Sequence, residues 1–113
     1  MSEKIDLQFS ESGRWLIVRF KGMINLLVRD QLRQAVMLEL EKRPTCDLVI
    51  DLSGVTAVDS SGLGAIFSIY KYLSERQSTL ALAAPNRDVG ALLELTHLDK
   101  VIRIEKLLAT ITG

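Results

Sequence analysis

An α/β fold with a mixed, largely parallel sheet and interspersed helices is predicted by three features of the sequence. Apolar residues alternate between the two-residue period of strands and the 3.6-residue period of helices. The stretch Asp47–Leu52 is short, almost wholly apolar and rich in branched residues, as a strand covered on both faces must be. Helical patterns long enough to serve as crossovers separate the later strand patterns, which is the spacing of parallel βαβ units. A chain of 113 residues is the length of one compact domain, 1–113, and can bury about two-thirds of its unfolded surface.

Taken in order, Ile5, Leu7 and Phe9 alternate with polar residues, and after Glu11-Ser12-Gly13 a second run extends from Trp15 to Phe20, so the chain opens with a hairpin that adds an antiparallel strand. From Leu26 to Arg43 the pattern is helical, with Val28, Leu32, Val36 and Leu40 spaced by four, Asn25 as the expected cap and Pro44 at the exit. Gly54 turns the chain after the Asp47–Leu52 strand. A helix from about Ser60 to Arg76 follows, with a core stripe of Leu63, Ile66, Phe67, Tyr70 and Leu73. Thr79 to Ala84 reads as a strand, Pro85-Asn86 as a turn, Arg87 to His97 as a helix and Val101 to Ile104 as the last strand. A short helix through Leu107 and Leu108 ends the pattern.

Asp59-Ser60-Ser61-Gly62-Leu63-Gly64 sets two hydroxyls and two glycines at the entry of the second helix, where function collects in open α/β sheets. A helix entry presents unpaired N–H groups and the positive end of the macrodipole, which suit an attached anion such as a phosphate on Ser60 or Ser61. Asp59 or Ser60 is the expected N-cap, and Gly62 and Gly64 permit close packing on the sheet. If Ser60 is the cap, its oxygen is tied to a backbone N–H and the Ser61 hydroxyl is the freer of the two.

The segment Leu48-Val-Ile-Asp-Leu-Ser-Gly-Val-Thr-Ala-Val-Asp-Ser-Ser-Gly-Leu-Gly-Ala-Ile-Phe67 resembles the signature of the STAS domain, in particular the free-standing anti-sigma factor antagonists. The ending Leu-Leu-Glu-Leu-Thr-His-Leu-Asp-Lys-Val-Ile-Arg-Ile-Glu resembles that family's last helix–strand unit, so nearly the whole chain is covered. The resemblance implies an STAS-type fold and a non-enzymatic switch. It further implies that a partner serine kinase, which is also the anti-sigma factor, phosphorylates a serine of the turn, and that a serine phosphatase removes the phosphate. The second serine of the pair is the usual acceptor, which assigns Ser61, with Ser60 as the alternative and Asp59, Gly62 and Asn25 as its surroundings. Many phosphorylatable members have a carboxylate where this chain has Asn25, an amide that cannot supply that charge. The competing expectation is a non-switching structural STAS subunit of a larger assembly such as a lipid-transport ATPase. Along the second helix, Leu63 with the row Ala65, Ile69 and Tyr72 is the candidate partner-binding surface, and packing against a neighbouring helix is the other reading of that row.

Other classes find little support. Fourteen basic residues balance fourteen acidic ones and are scattered, so no nucleic-acid patch is expected. The opening Met-Ser-Glu-Lys-Ile-Asp lacks the order of a secretory signal and no apolar stretch approaches the ~20 residues of a membrane span, which predicts a cytoplasmic protein without membrane insertion. Cys46 is the lone cysteine and reads as a small core-edge residue, while His97, the lone histidine, sits near the end of the third helix pattern without partners for a triad or metal set. No glycine precedes the serines as in a nucleophile elbow, and Phe67 stands where a dinucleotide fingerprint needs a small residue. The expectation is therefore a monomer or weak dimer that is not an enzyme and carries no cofactor or metal.

Overall fold

The computed structural model describes residues 5–113, so Met1–Lys4, the start of the segment read above for a signal, lie outside it. Strands β1 (Asp6–Ser12) and β2 (Trp15–Ile24) form the expected antiparallel hairpin, turning through Gly13 at φ 58°. β2 runs four residues beyond the expected Phe20 and serves two partners along one side. Its first half, Trp15–Arg19, pairs in parallel with β3 (Asp47–Asp51), and its last residues, Gly22–Ile24, pair in parallel with β4 (Val55–Val58). The register shifts between Gly22 and Met23, and Gly22 takes a φ of 109° that only glycine adopts without strain. β4 was not expected from the sequence, because four residues after a glycine turn are too short to show a period. β5 (Leu80–Ala83) and β6 (Arg103–Glu105) complete the sheet in the order β1-β2-β3-β5-β6, with β4 beside the end of β2.

Helices α1 (Arg29–Glu41), α2 (Ser60–Glu75) and α3 (Arg87–Leu95) share one core with Leu16, Val18, Phe20, Leu48, Ile50, Leu80 and Leu82 of the sheet. The alternate strand residues Ile17, Val49, Ala81 and Ala83 point to the other face, where Ile111 of the short helix α4 (Leu108–Thr112) covers them with Trp15 and Leu108 alongside. β3 is buried at every position because it has helices on one face and α4 on the other. The radius of gyration, 12.9 Å, matches the about 13 Å of a compact domain of this length.

Several features differ from the sequence reading, among them the last strand, which is Arg103–Glu105 rather than Val101–Ile104. α1 begins at Arg29 rather than Leu26, because Asn25 organises a separate turn: its Oδ1 accepts the Leu27 N–H at 3.0 Å and its carbonyl accepts Val28 and Arg29. Asn25 is thus a turn residue and not the α1 cap, a position held by Val28 without a side-chain bond. In α2 the buried face is Gly62, Ala65, Ile66, Ile69 and Leu73, whereas Phe67, expected in the core, is 43% exposed. The buried stripe is rotated because α2 packs on the sheet and also against α1. His97 follows α3 in the left-handed conformation, exposed, and a 3-10 turn over Leu98–Lys100 precedes β6.

Buried polar groups fix the ends of these elements. The Arg76 guanidinium, beyond the end of α2, donates to the carbonyls of Leu40, Arg43 and Cys46 at 2.9, 2.9 and 3.2 Å, closing the carboxyl end of α1. Cys46 is half-buried at the core edge, as expected. Asp51 is 3% exposed and accepts Arg19 Nε at 2.7 Å and the Ser53 N–H at 3.0 Å. Burial pushes its carboxyl up, yet the Ser53 N–H and the Arg19 guanidinium together hold it below the usual carboxylate range.

Candidate functional site

The carboxyl ends of β2 and β4 lie side by side, with Met23 opposite Ala57 and Ile24 opposite Val58. The chain leaves β4 at Val58 and enters α2 through Asp59. The Asp59 backbone is extended, and its Oδ1 accepts the Gly62 N–H at 2.9 Å, which makes Asp59 the N-cap. Its Oδ2 accepts the Leu26 N–H at 3.3 Å, so the same carboxylate ties the start of α2 to the turn after β2. Ser60 is therefore not the cap, and the geometric ground for preferring Ser61 falls away; Ser60 is exposed and Ser61 is half-buried.

The two glycines of the turn do different things. A side chain at Gly62 would collide with the Ile24 carbonyl and the Val58 and Ile24 side chains, so this position must be bare for α2 to approach the sheet. Around Gly64 there is open space, and close packing, expected of both, belongs to Gly62 alone.

A groove of about 480 Å³ runs between the amino-terminal halves of α1 and α2, lined by Arg29, Asp30 and Arg33 on one side and by Ser60, Ser61, Gly64, Ala65 and Ser68 on the other. Both candidate serines thus open onto one polar surface depression. Asn25 lies half-buried in the turn beyond β2, its side-chain oxygen engaged with Leu27. Among the described residues there is no cluster of His, Cys, Asp and Glu arranged to hold a metal ion, and no helix is long and apolar enough to cross a membrane.

Of the expected partner-binding residues, Ala65 is 2% exposed and Ile69 is fully buried, so these two belong to the core. Leu63 is half-buried against the same core, and Tyr72, also half-buried, carries the Arg76 guanidinium 5.5 Å above its ring. Leu26 and Leu27, in the turn that Asp59 ties to the start of α2, are 58% and 79% exposed, and Met23, opposite Ala57, is 43% exposed. Sequence reading absorbed Leu26 and Leu27 into the helix pattern; the signal that separates them is that neither falls on the Val28-Leu32-Val36-Leu40 stripe.

The entry of α2 thus carries paired serines, is capped by Asp59 and is seated against the mixed sheet of this α/β domain by Gly62. The chain belongs to the STAS domain family, whose model matches residues 6–111. It is 30% identical over 89 residues to the anti-sigma F factor antagonist of Paenibacillus polymyxa, covering 79% of this chain and 76% of that one. It also superposes on an anti-sigma factor antagonist from Mycobacterium paratuberculosis with a TM-score of 0.83 at 25% identity, over 95% of this chain and 90% of the other. A similarity of 34% over 76 residues links it to sulfate transporter 1.3 of Arabidopsis thaliana, where it covers 66% of this chain but 12% of the transporter. The expectation of a STAS-type fold and of kinship with anti-sigma factor antagonists is thereby met.

Proposed function

We propose that this chain is a phosphorylation-controlled anti-sigma factor antagonist, a cytoplasmic partner-switching regulator of transcription that binds a serine kinase/anti-sigma factor while Ser61 is unmodified. The partner kinase transfers the terminal phosphoryl group of a nucleoside triphosphate to the Ser61 oxygen, which loses its proton as the nucleoside diphosphate departs. A serine phosphatase hydrolyses the ester and resets the protein. The chain itself contributes a surface and an acceptor hydroxyl, with no catalysis.

The observation that carries this reading is the division of labour at the start of α2. Asp59 supplies the cap and Gly62 the packing, so Ser60 and Ser61 open onto the groove without holding the helix in place. A phosphate there adds about −1.5 to −2 charges beside the exposed Leu26 and Leu27 while leaving the fold intact, which opposes docking by repulsion and desolvation. Likeness to proteins named anti-sigma factor antagonists supports the role. The test is site-mapping mass spectrometry of the protein recovered from its native cytoplasm beside a Ser61→Ala form. One added phosphate on Ser61, absent from the variant, is the expected result; absence of phosphate under every growth condition would overturn it.

Asn25 favours a second reading, a structural STAS subunit of a larger assembly such as a lipid-transport ATPase, since the amide lacks the charge common at that position in phosphorylatable members. Co-purification with an ATPase subunit, without phosphate on either serine, is its signature.

A further inference from the structure

Ser61 lies one turn before Ala65 on α2, and residues four apart share a helix face. Ala65 is buried while Ser61 is half-buried, and both line the groove, so the Ser61 side chain rises from the wall that α2 turns towards α1. Across the groove stand Arg29 and Arg33, again four residues apart, with Asp30 between them. In the unmodified protein the Asp30 carboxylate takes Arg29 Nε at 3.2 Å and Arg33 Nη2 at 3.7 Å. These side chains are 40%, 44% and 61% exposed for Arg29, Arg33 and Asp30, and such pairs hold their members only weakly.

We propose that a phosphate on Ser61 is received within the chain by Arg29 and Arg33, which exchange Asp30 for it; the inference rests on the reading of Ser61 as a phosphorylation site. The α1 wall carries two positive charges and one negative, and a phosphate of about −1.5 to −2 attracts guanidinium groups more strongly than a single exposed carboxylate does. The other carboxylate beside the serines, Asp59, is occupied by the Gly62 and Leu26 N–H groups. The first turn of α1 has no side-chain cap and is joined to Leu26 and Leu27 by Val28 alone. Phosphate held there ties that turn to α2 and closes the groove, so the modification would reshape the docking surface as well as charge it.

The test uses the full chain with phosphoserine installed genetically at position 61, so that no kinase is needed. The second ionisation of the phosphate, near pH 6 for the free residue, is followed by phosphorus NMR at low salt in three backgrounds: otherwise unaltered, R29Q/R33Q and D30N. Arg29, Asp30, Arg33 and Asp59 are the charged groups facing it from the elements that line the groove. The expected midpoint lies about one pH unit or more below the free value, returns towards 6 in R29Q/R33Q and stays low or falls further in D30N. Identical midpoints in the unaltered and R29Q/R33Q proteins overturn the clamp, and should R29Q/R33Q fail to fold, a D30N midpoint above the unaltered one does the same. Phosphorylation in the cell is read separately by site mapping: phosphate on Ser61 with a normal midpoint removes the clamp alone, and a lowered midpoint without cellular phosphate removes the switch alone.

Discussion

A methyl group on Gly62 would stand 2.3 Å from the carbonyl oxygen of Ile24. The contact is with backbone, fixed by the pairing of β2 and β4, so no side chain can swing aside to relieve it. Gly62→Ala is therefore expected to cost at least about 2 kcal/mol, the upper part of the range for overpacking, and to lower the thermal midpoint by roughly 10 °C. Gly64→Ala, with open space around the new methyl, is expected to raise stability by about 0.5–1 kcal/mol through its gain in helix propensity. Thermal unfolding of the two variants side by side checks both signs at once, and equal effects would refute the different roles given to the two glycines.

Asp59, and not Ser60, closes the start of α2. Asp59→Ala removes the acceptor of two N–H groups and is expected to cost about 1–2 kcal/mol. Ser60→Ala, at an exposed position outside the cap, is expected to change stability by less than about 0.5 kcal/mol. Urea denaturation distinguishes them; a larger loss for Ser60→Ala would return the cap to the serine.

These two residues also mark what could be read before the fold was known. The Asp-Ser-Ser-Gly turn, the strand before the Gly54 turn and the entry of α2 were legible, because their residue types have few alternative uses: a capping carboxylate, hydroxyls and bare glycines at the junction of two periodic segments. Which residue caps was not, since Asp59 and Ser60 are both competent caps and only the backbone angles choose between them. β4 stayed invisible because Val55–Val58 gains its strand geometry from the exposed end of β2, a tertiary partner that leaves no local pattern. The rotation of the α2 stripe has the same kind of cause. α2 packs against α1 as well as the sheet, and a single helical period cannot report a second neighbour.

Asp51 gives the acid side of the stability curve. Its carboxyl titrates below the usual range in the folded protein, so between the folded and unfolded values the native state binds fewer protons than the unfolded chain and stability rises with pH. The contribution is complete above about pH 5 and is lost as pH falls through the usual carboxylate value near 4 and on towards the folded one. Asp51→Asn removes this dependence. Urea midpoints from pH 6 down to pH 2.5 are expected to fall less steeply in the variant, by up to about 1.4 kcal/mol per pH unit. Parallel curves would mean that Arg19 and Ser53 do not favour the charged form.

The face that meets a partner is decided by comparing Ile69→Asp with Leu27→Asp. Ile69, on α2, is fully buried in the core that the helices share with the sheet, and an unpaired carboxylate there has neither water nor a counter-ion, so the variant is expected to lose more than about 4 kcal/mol and to be largely unfolded. Leu27 is 79% exposed in the turn that Asn25 and Asp59 hold beside the serines, and its replacement is expected to leave the thermal midpoint within about 2 °C. If the exposed leucines form the docking surface of the proposed switch, Leu27→Asp mimics the effect of phosphate from the other side of Asp59: it puts a charge into an apolar contact and should weaken binding to a serine-kinase anti-sigma factor at least about tenfold. A folded Leu27→Asp protein that binds such a partner undiminished would move the interface off this turn and onto the exposed side of α2, where Gly64 and Phe67 stand.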